Sequence, residues 1–181
     1  MSEQILDACC LINLFASGSV RSIIESCEGE FYVSNQARGE SLTIRQPDSK
    51  DASLLVPVPI DLSELIADGT VKECRVEGEA EHRSYVEFAA QLDDGEASCL
   101  AIAKSRGWLV ATDDRKAIRL ASAAGIKVIT TPELVELWAK ASNSTNDDIA
   151  KVIRAIERFA RFRPRNASPR HDWWTAIIES S

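Results

Sequence analysis

The chain has 181 residues, with 21 Lys+Arg against 28 Asp+Glu, a formal charge of -7, 45% apolar and 27% charged side chains. This is the balance of an ordinary globular protein, and the length suits one domain with at most an appendage. No apolar run approaches the roughly 18–20 residues of a membrane span. The start, Met1-Ser2-Glu3-Gln4, lacks the basic and apolar signature of a signal peptide, so a cytoplasmic location is expected. The acidic balance argues against a protein that coats nucleic acid, though not against an enzyme that touches it locally.

Five cysteines, Cys9, Cys10, Cys27, Cys74 and Cys99, form no C-x-x-C spacing. An odd count without that spacing speaks against a disulfide framework and against a zinc site. Two histidines, His82 and His171, are too few for chemistry built on clustered imidazoles.

In chain order, residues 4–6 are a short apolar start that runs into Asp7, and residues 9–15 read as a strand end followed by a buried helix. Ser19 caps a helix over 20–27, where Val20, Ile23, Ile24 and Cys27 repeat at i, i+3, i+4 and i+7. Phe31-Tyr32-Val33 is a short strand, and Ser34 or Asn35 caps a helix carrying Arg38 and Glu40. Residues 43–45 and 53–56 suggest two short strands around a polar turn, with Pro57 and Pro59 putting the next residues at an edge or in a connection. A short helix to Ala67, a strand over 71–76 and a helix over 79–90 come next. Asp93-Asp94-Gly95 opens a helix that Gly107 closes. Trp108-Leu109-Val110-Ala111 is a strand ending at Thr112-Asp113-Asp114; a helix to Ala124, a strand over 126–129 and a helix with Pro132 in its first turn follow. Strands alternating with helices predict an α/β fold with a mostly parallel sheet.

The tail differs. A linker over 141–146, a helix over 147–162, a basic stretch over 163–170 and a short end with Trp173 and Trp174 are expected. Residues 1–140 hold 14 basic and 23 acidic side chains, and residues 141–181 hold 7 and 5. The expected organisation is a domain over 1–140, with an inserted hairpin within 41–76, and a helical, basic and aromatic extension over 141–181.

In doubly wound sheets, ligands sit at the C-terminal ends of the strands. Asp7 and the pair Asp113-Asp114 follow expected strands, Glu40 lies soon after another, and Glu96 lies in a helical first turn where the dipole favours a carboxylate. Uncompensated carboxylates that converge need a counter-ion. Oxygen ligands without His or Cys suit Mg²⁺ or Mn²⁺, which activate water and stabilise phosphoryl transition states. Read singly, the same residues suit ordinary roles: Asp93 and Asp94 as caps, Glu96 as a first-turn residue, Arg38 as a solvated helix charge.

Ile5-Leu6-Asp7-Ala8 with its apolar continuation resembles the opening of the PIN domain. Tyr32-Val33-Ser34 followed by Glu40 resembles its second acidic motif, and Asp94-Gly95-Glu96-Ala97 its third. Thr112-Asp113-Asp114-Arg115 with Gly125-Ile126-Lys127-Val128 behind it resembles the fourth. The likeness spans residues 3–138 and is most specific over 94–134. It implies a three-layer α/β/α sandwich and a Mg²⁺- or Mn²⁺-dependent endoribonuclease of VapC-toxin type. It carries Asp7, Glu40, Glu96 and Asp114 over as catalytic, metal-holding carboxylates, with Asp113 as a further ligand and Thr112 and Asn13 as supporting groups. Arg38, Arg115, Lys116 and Arg119 near the site, or the arginine cluster over 161–170, are candidate RNA contacts. The resemblance also implies a small antitoxin protein as partner, and a homodimer is the expected assembly. A PIN-fold binding or regulatory module with weak or no ion affinity is the alternative. For the tail, Arg163, Arg165, Arg170, Trp173 and Trp174 have the composition of an inhibitory segment; a helix packing on the domain is the plainer reading.

Overall fold

The computed structural model describes residues 3–40, 42–168 and 170–180. In chain order its elements are β1 (Gln4–Leu6), α1 (Ala8–Ala16), α2 (Val20–Glu25), β2 (Phe31–Ser34), α3 (Asn35–Gly39), β3 (Thr43–Pro47), β4 (Leu55–Pro59), α4 (Ser63–Ala67), β5 (Val71–Cys74) and α5 (Gly78–Ala89). They continue with α6 (Asp94–Arg106), β6 (Leu109–Ala111), α7 (Arg115–Ala123), β7 (Val128–Ile129), α8 (Thr131–Ala141), α9 (Asn146–Phe159) and α10 (His171–Glu179).

Five short strands form one parallel sheet in the order β5-β2-β1-β6-β7. Ile5 in the central strand registers with Tyr32 on one side and Val110 on the other. Parallel neighbours need crossover connections, which is why helices separate the strands and flank the sheet. The chain runs outward from β1 to β2 and β5, then continues on the other side of β1 as β6 and β7. The C-terminal ends of β1 and β6 therefore mark the switch point, where such sheets leave a crevice.

The chain divides into two compact units. The first takes Met1–Leu11, Glu28–Ser41 and Leu62–Thr130; the second takes Ile12–Cys27, Leu42–Asp61 and Thr131–Ser181. Within the first, α6 packs against β1, β2 and β6, with α5 alongside it. The inward residues of α6, Ala97, Cys99, Leu100, Ala101 and Ile102, are fully buried. Arg106 closes α6 by donating to Glu81 at 2.7 and 3.0 Å and to the Arg75 carbonyl at 2.9 Å. Its guanidinium also lies 5.0 Å from the Trp108 ring, which stacks on Tyr32 at 4.2 Å.

Within the second unit, β3 and β4 form an antiparallel hairpin, α2 packs on α8, and α9 packs on β3 and α10. Pro57 and Pro59 lie inside β4, opposite Arg45 and Thr43, and not beyond its end. Prolines two apart point their missing N–H groups to the same side, and a strand with one partner leaves one side unbonded. Helix α9 stops at Phe159, earlier than the apolar spacing suggests, and Arg161 turns with φ 58°. The terminal tryptophans form a helix of their own, α10. Trp174 is fully buried, donates to Glu157 at 2.9 Å and stands edge-on to Phe162 at 6.0 Å. Arg163 pairs with Glu157 at 3.3 Å, and Arg170 pairs with Glu136. These tail groups are thus engaged inside their own unit. Trp174→Ala should cost about 3–5 kcal/mol of stability, read as a lower urea midpoint at unchanged slope.

Candidate active site

Asp7 follows β1 directly, and its N–H donates to the Ala111 carbonyl at 3.0 Å, which extends the β1–β6 ladder by one residue. Its side chain is 1% exposed and every bond it makes is local to the two strand ends. Oδ1 accepts from the Ala8 N–H at 2.6 Å. Oδ2 accepts from the Thr112 hydroxyl at 2.8 Å and from the Cys9 thiol at 3.1 Å. Thr112 Oγ1 in turn accepts from the Asp114 N–H at 3.2 Å, and Cys9 Sγ accepts from the Asp113 N–H at 3.3 Å. Asp7, Cys9 and Thr112 thereby stitch the end of β1 to the loop after β6.

Asp114 caps α7, its Oδ1 accepting from the N–H groups of Lys116 at 2.7 Å and Ala117 at 2.9 Å. Asp93 caps α6 in the same way, accepting from the Glu96 N–H at 2.9 Å. Ser34 caps α3, accepting from Ala37 at 3.0 Å, and contacts Ser98 of α6 at 2.7 Å. Glu40 was expected inside that helix, but α3 ends at Gly39 and Glu40 follows it with extended backbone, φ -71° and ψ 150°. Glycine at the last position explains the early stop. From there Glu40 reaches the start of α6 and accepts from the Gly95 N–H. A Cβ at position 95 would stand 1.9 Å from Glu40 Oε1 and 3.3 Å from the Ala37 Cα. The glycine beside Glu96 is therefore what admits Glu40 to the helix N-terminus.

The carboxylates share one electrostatic field. Burial, then Asp93 and Asp7, push Glu40 up to about 7. Burial, then Asp7, Asp93 and Asp114, push Glu96 up to about 7. Burial also raises Asp7, against the bonds from Cys9, Thr112 and Ala8. The Cys9 thiol is pushed well up by burial and by Asp7 and Asp113, so it stays protonated and donates. Among the described residues, no Lys or Arg forms an ion pair with Asp7, Glu40, Glu96 or Asp114. Equally, no three His, Cys, Asp or Glu side chains among them are gathered closely enough to hold an ion. The donors are all carboxylate oxygens lacking a cationic partner, which fits a hard divalent cation.

Of the other expected site residues, only Thr112 bonds directly to the Asp7 carboxylate. Thr112 is buried in the cluster. Asn13 belongs to the second unit, where its Nδ2 donates to Thr131 at 3.2 Å. Arg38 pairs with Glu73 on β5, and Lys116 Nζ donates to the Gln91 carbonyl. Arg115 is exposed at the first position of α7. Two residues at the cluster had no assigned role in the sequence: Cys9, whose thiol bonds Asp7 and the Asp113 N–H, and Gly95. The Gly-Glu pair was a visible signal, but its reason lies in Glu40, far away along the chain.

A five-stranded parallel sheet flanked by helices, with acidic residues at its switch point, defines an α/β/α sandwich with a ligand crevice at its strand ends. The chain belongs to DUF3368, a PIN domain family whose profile matches residues 3–167. PIN domains are as a class nucleases. Comparison with curated proteins and with solved structures finds no match for the chain.

A carboxyl with a raised folded-state pKa stabilises the fold while protonated, and that stability is lost as pH rises through the raised value. In cation-free buffer, melting temperature should therefore fall as pH rises from the ordinary 4.5 of Glu40 and Glu96 toward about 7. The Glu40→Gln, Glu96→Gln double variant should show a flatter profile over that window by scanning calorimetry.

Proposed function

We propose that the protein is a divalent-cation-dependent endoribonuclease that hydrolyses RNA phosphodiester bonds. In this reading Asp7, Glu40, Glu96 and Asp114 are the catalytic carboxylates, with Asp113 as a further ligand and Thr112 and Asn13 in support. One observation carries the reading: four chain segments bring carboxylates into a single repelling field, and no cationic side chain among the described residues forms an ion pair with Asp7, Glu40, Glu96 or Asp114.

Mg²⁺ or Mn²⁺ is the ion the donor set suits. Once bound it supplies Lewis acidity toward a phosphoryl oxygen and a more acidic water. The protein's own groups do the rest. Asp7 is held by three donors and offers a carboxylate of little rotational freedom. Asp114 spends Oδ1 on its helix cap, which leaves Oδ2 for the crevice. Glu40 and Glu96, with values of about 7, are matched to taking up or giving a proton near neutral pH. Asp93 adds negative charge that repels phosphate until a cation offsets it. The substrate is single-stranded or looped RNA, whose backbone such a crevice can reach. Arg38, Arg115 and Lys116 are proposed to contact it, the first and last by leaving Glu73 and Gln91.

The finer parts of the proposal are a VapC-type toxin role in the cytoplasm, a small antitoxin protein as partner and a homodimer as the assembly. A short reading frame upstream whose product co-purifies with the chain would support them. A second reading, a PIN-fold binding or regulatory module with little ion affinity, is favoured by one fact. No group of three candidate ligands among the described residues is close enough to hold an ion.

The discriminating assay is cleavage of labelled single-stranded RNA with Mn²⁺, Mg²⁺ or EDTA. Asp7→Asn and Asp114→Asn should each lower kcat by about 100-fold or more, since even the outer partners of metal ligands are worth 10–100-fold. Wild-type rates in the variants, or equal rates in EDTA, would favour the second reading. Gly95→Ala should lose activity to a similar degree through the displaced Glu40, whose carboxylate a Cβ there would meet at 1.9 Å.

A further inference from the structure

Residues 151–170 carry seven basic side chains and one acidic one, Glu157. Lys151, Arg154 and Arg158 follow each other at spacings of three and four on α9, and all are exposed. The opposite face, Ile149, Val152, Ile153 and Ile156, is buried. At 1.5 Å per residue the three cations span about 10 Å of the helix. Beyond Phe159 the chain leaves the helix, and Arg161, Arg163 and Arg165 continue exposed.

Glu157 does not offset this strip. It is half-buried, accepts from the Trp174 indole and pairs with Arg163. Lys151 pairs with the exposed Asp148 at 3.2 Å, an ion pair open to solvent. Arg154 donates to the Ile178 carbonyl at 3.2 Å, and Arg158 lies 5.3 Å from the Phe159 ring. Among the described residues, Arg158, Arg161 and Arg165 form no ion pair. Arg154 and Arg158 are also like charges at i, i+4, which repel. A cluster of one sign, in a chain that is acidic overall, is complementary to a polyanion.

We infer that Lys151, Arg158, Arg161 and Arg165 form a surface that binds the phosphodiester backbone of single-stranded RNA. The choice of RNA rests on the endoribonuclease reading; the charge pattern does not. Guanidinium forks match phosphate oxygens in pairs, and a chain of them along a helix and its extended continuation suits a backbone with regularly repeated charge. The strip touches phosphate and not bases, so it holds RNA without selecting sequence.

The test uses the full-length protein in EDTA, where no cleavage confuses binding. Anisotropy of a fluorescein-labelled, unstructured 20-nucleotide RNA is followed over a NaCl series. The Lys151→Gln, Arg158→Gln, Arg161→Gln, Arg165→Gln variant should bind about tenfold or more weakly. Its slope of log affinity against log salt should shrink by about 2–3, at roughly 0.7 for each phosphate left without its cation. Replacing the three arginines by lysine should keep most of the slope, which separates charge from folding. Removing four exposed cations elsewhere, Lys50, Arg83, Lys127 and Lys140, should change it little. With Mn²⁺, the strip variant should raise KM for the same RNA at unchanged kcat.

Unchanged affinity and slope in the strip variant would overturn the inference, as would a loss no larger than that of the control variant. Dissociation of a dimer in sedimentation velocity, with RNA affinity intact, would overturn it by assigning the strip to a second copy of the chain. Strip-dependent binding without any cleavage would sink the nuclease reading and leave the strip standing. Cleavage with strip-independent binding would do the reverse.

Discussion

The buried carboxylate of Asp7 is the constraint on which the site depends. It sits where the strand order switches from one side of β1 to the other, and three donors from Ala8, Cys9 and Thr112 fix it. Those bonds connect the end of β1 to the loop after β6 across one ladder step. Asp113 and Asp114 are placed by the same network, through their N–H groups on Cys9 and Thr112. Burying a carboxylate is costly unless it is hydrogen-bonded, and here the bonds also set the geometry of its neighbours.

Around that anchor the protein gathers charge of one sign. Glu40 enters over Gly95, Glu96 projects from the first turn of α6, and both feel Asp7 and Asp93. The result is a repulsion relieved in either of two ways, by protons or by a cation. At neutral pH the two glutamates stand near the balance between them. That is the physical sense in which the cluster is poised for a divalent ion, and in which ion uptake and proton release are linked.

Much of this was legible in the sequence because it is local. Ser34 and Asp93 are read as caps and each caps a helix, whereas Ser19, read the same way, makes no side-chain cap bond. The alternation of strand and helix gave the α/β class. What was not legible depends on partners distant along the chain. The strands hold only two to five residues, so their order could not be read from pattern. The role of Gly95 comes from Glu40, and that of Cys9 from Asp7 and the Asp113 N–H. Arg38 and Lys116 read as available cations, yet one pairs with Glu73 and the other bonds the Gln91 carbonyl. The prolines of β4 were compatible with a strand because its outer side needs no donors. Net charge alone was a poor guide, since the acidic total averages over a basic tail that only the split between residues 1–140 and 141–181 reveals.

The most direct measurement of the central claim is Mn²⁺ uptake by the purified chain, followed by loss of the free-ion signal in electron paramagnetic resonance. At pH 8, above the raised values of Glu40 and Glu96, the wild-type protein should take up Mn²⁺ saturably, at one or two ions per chain. Uptake should weaken as pH falls below about 7 and be lost in Asp7→Asn. No saturable uptake at pH 8, or uptake unchanged in Asp7→Asn, would contradict the account.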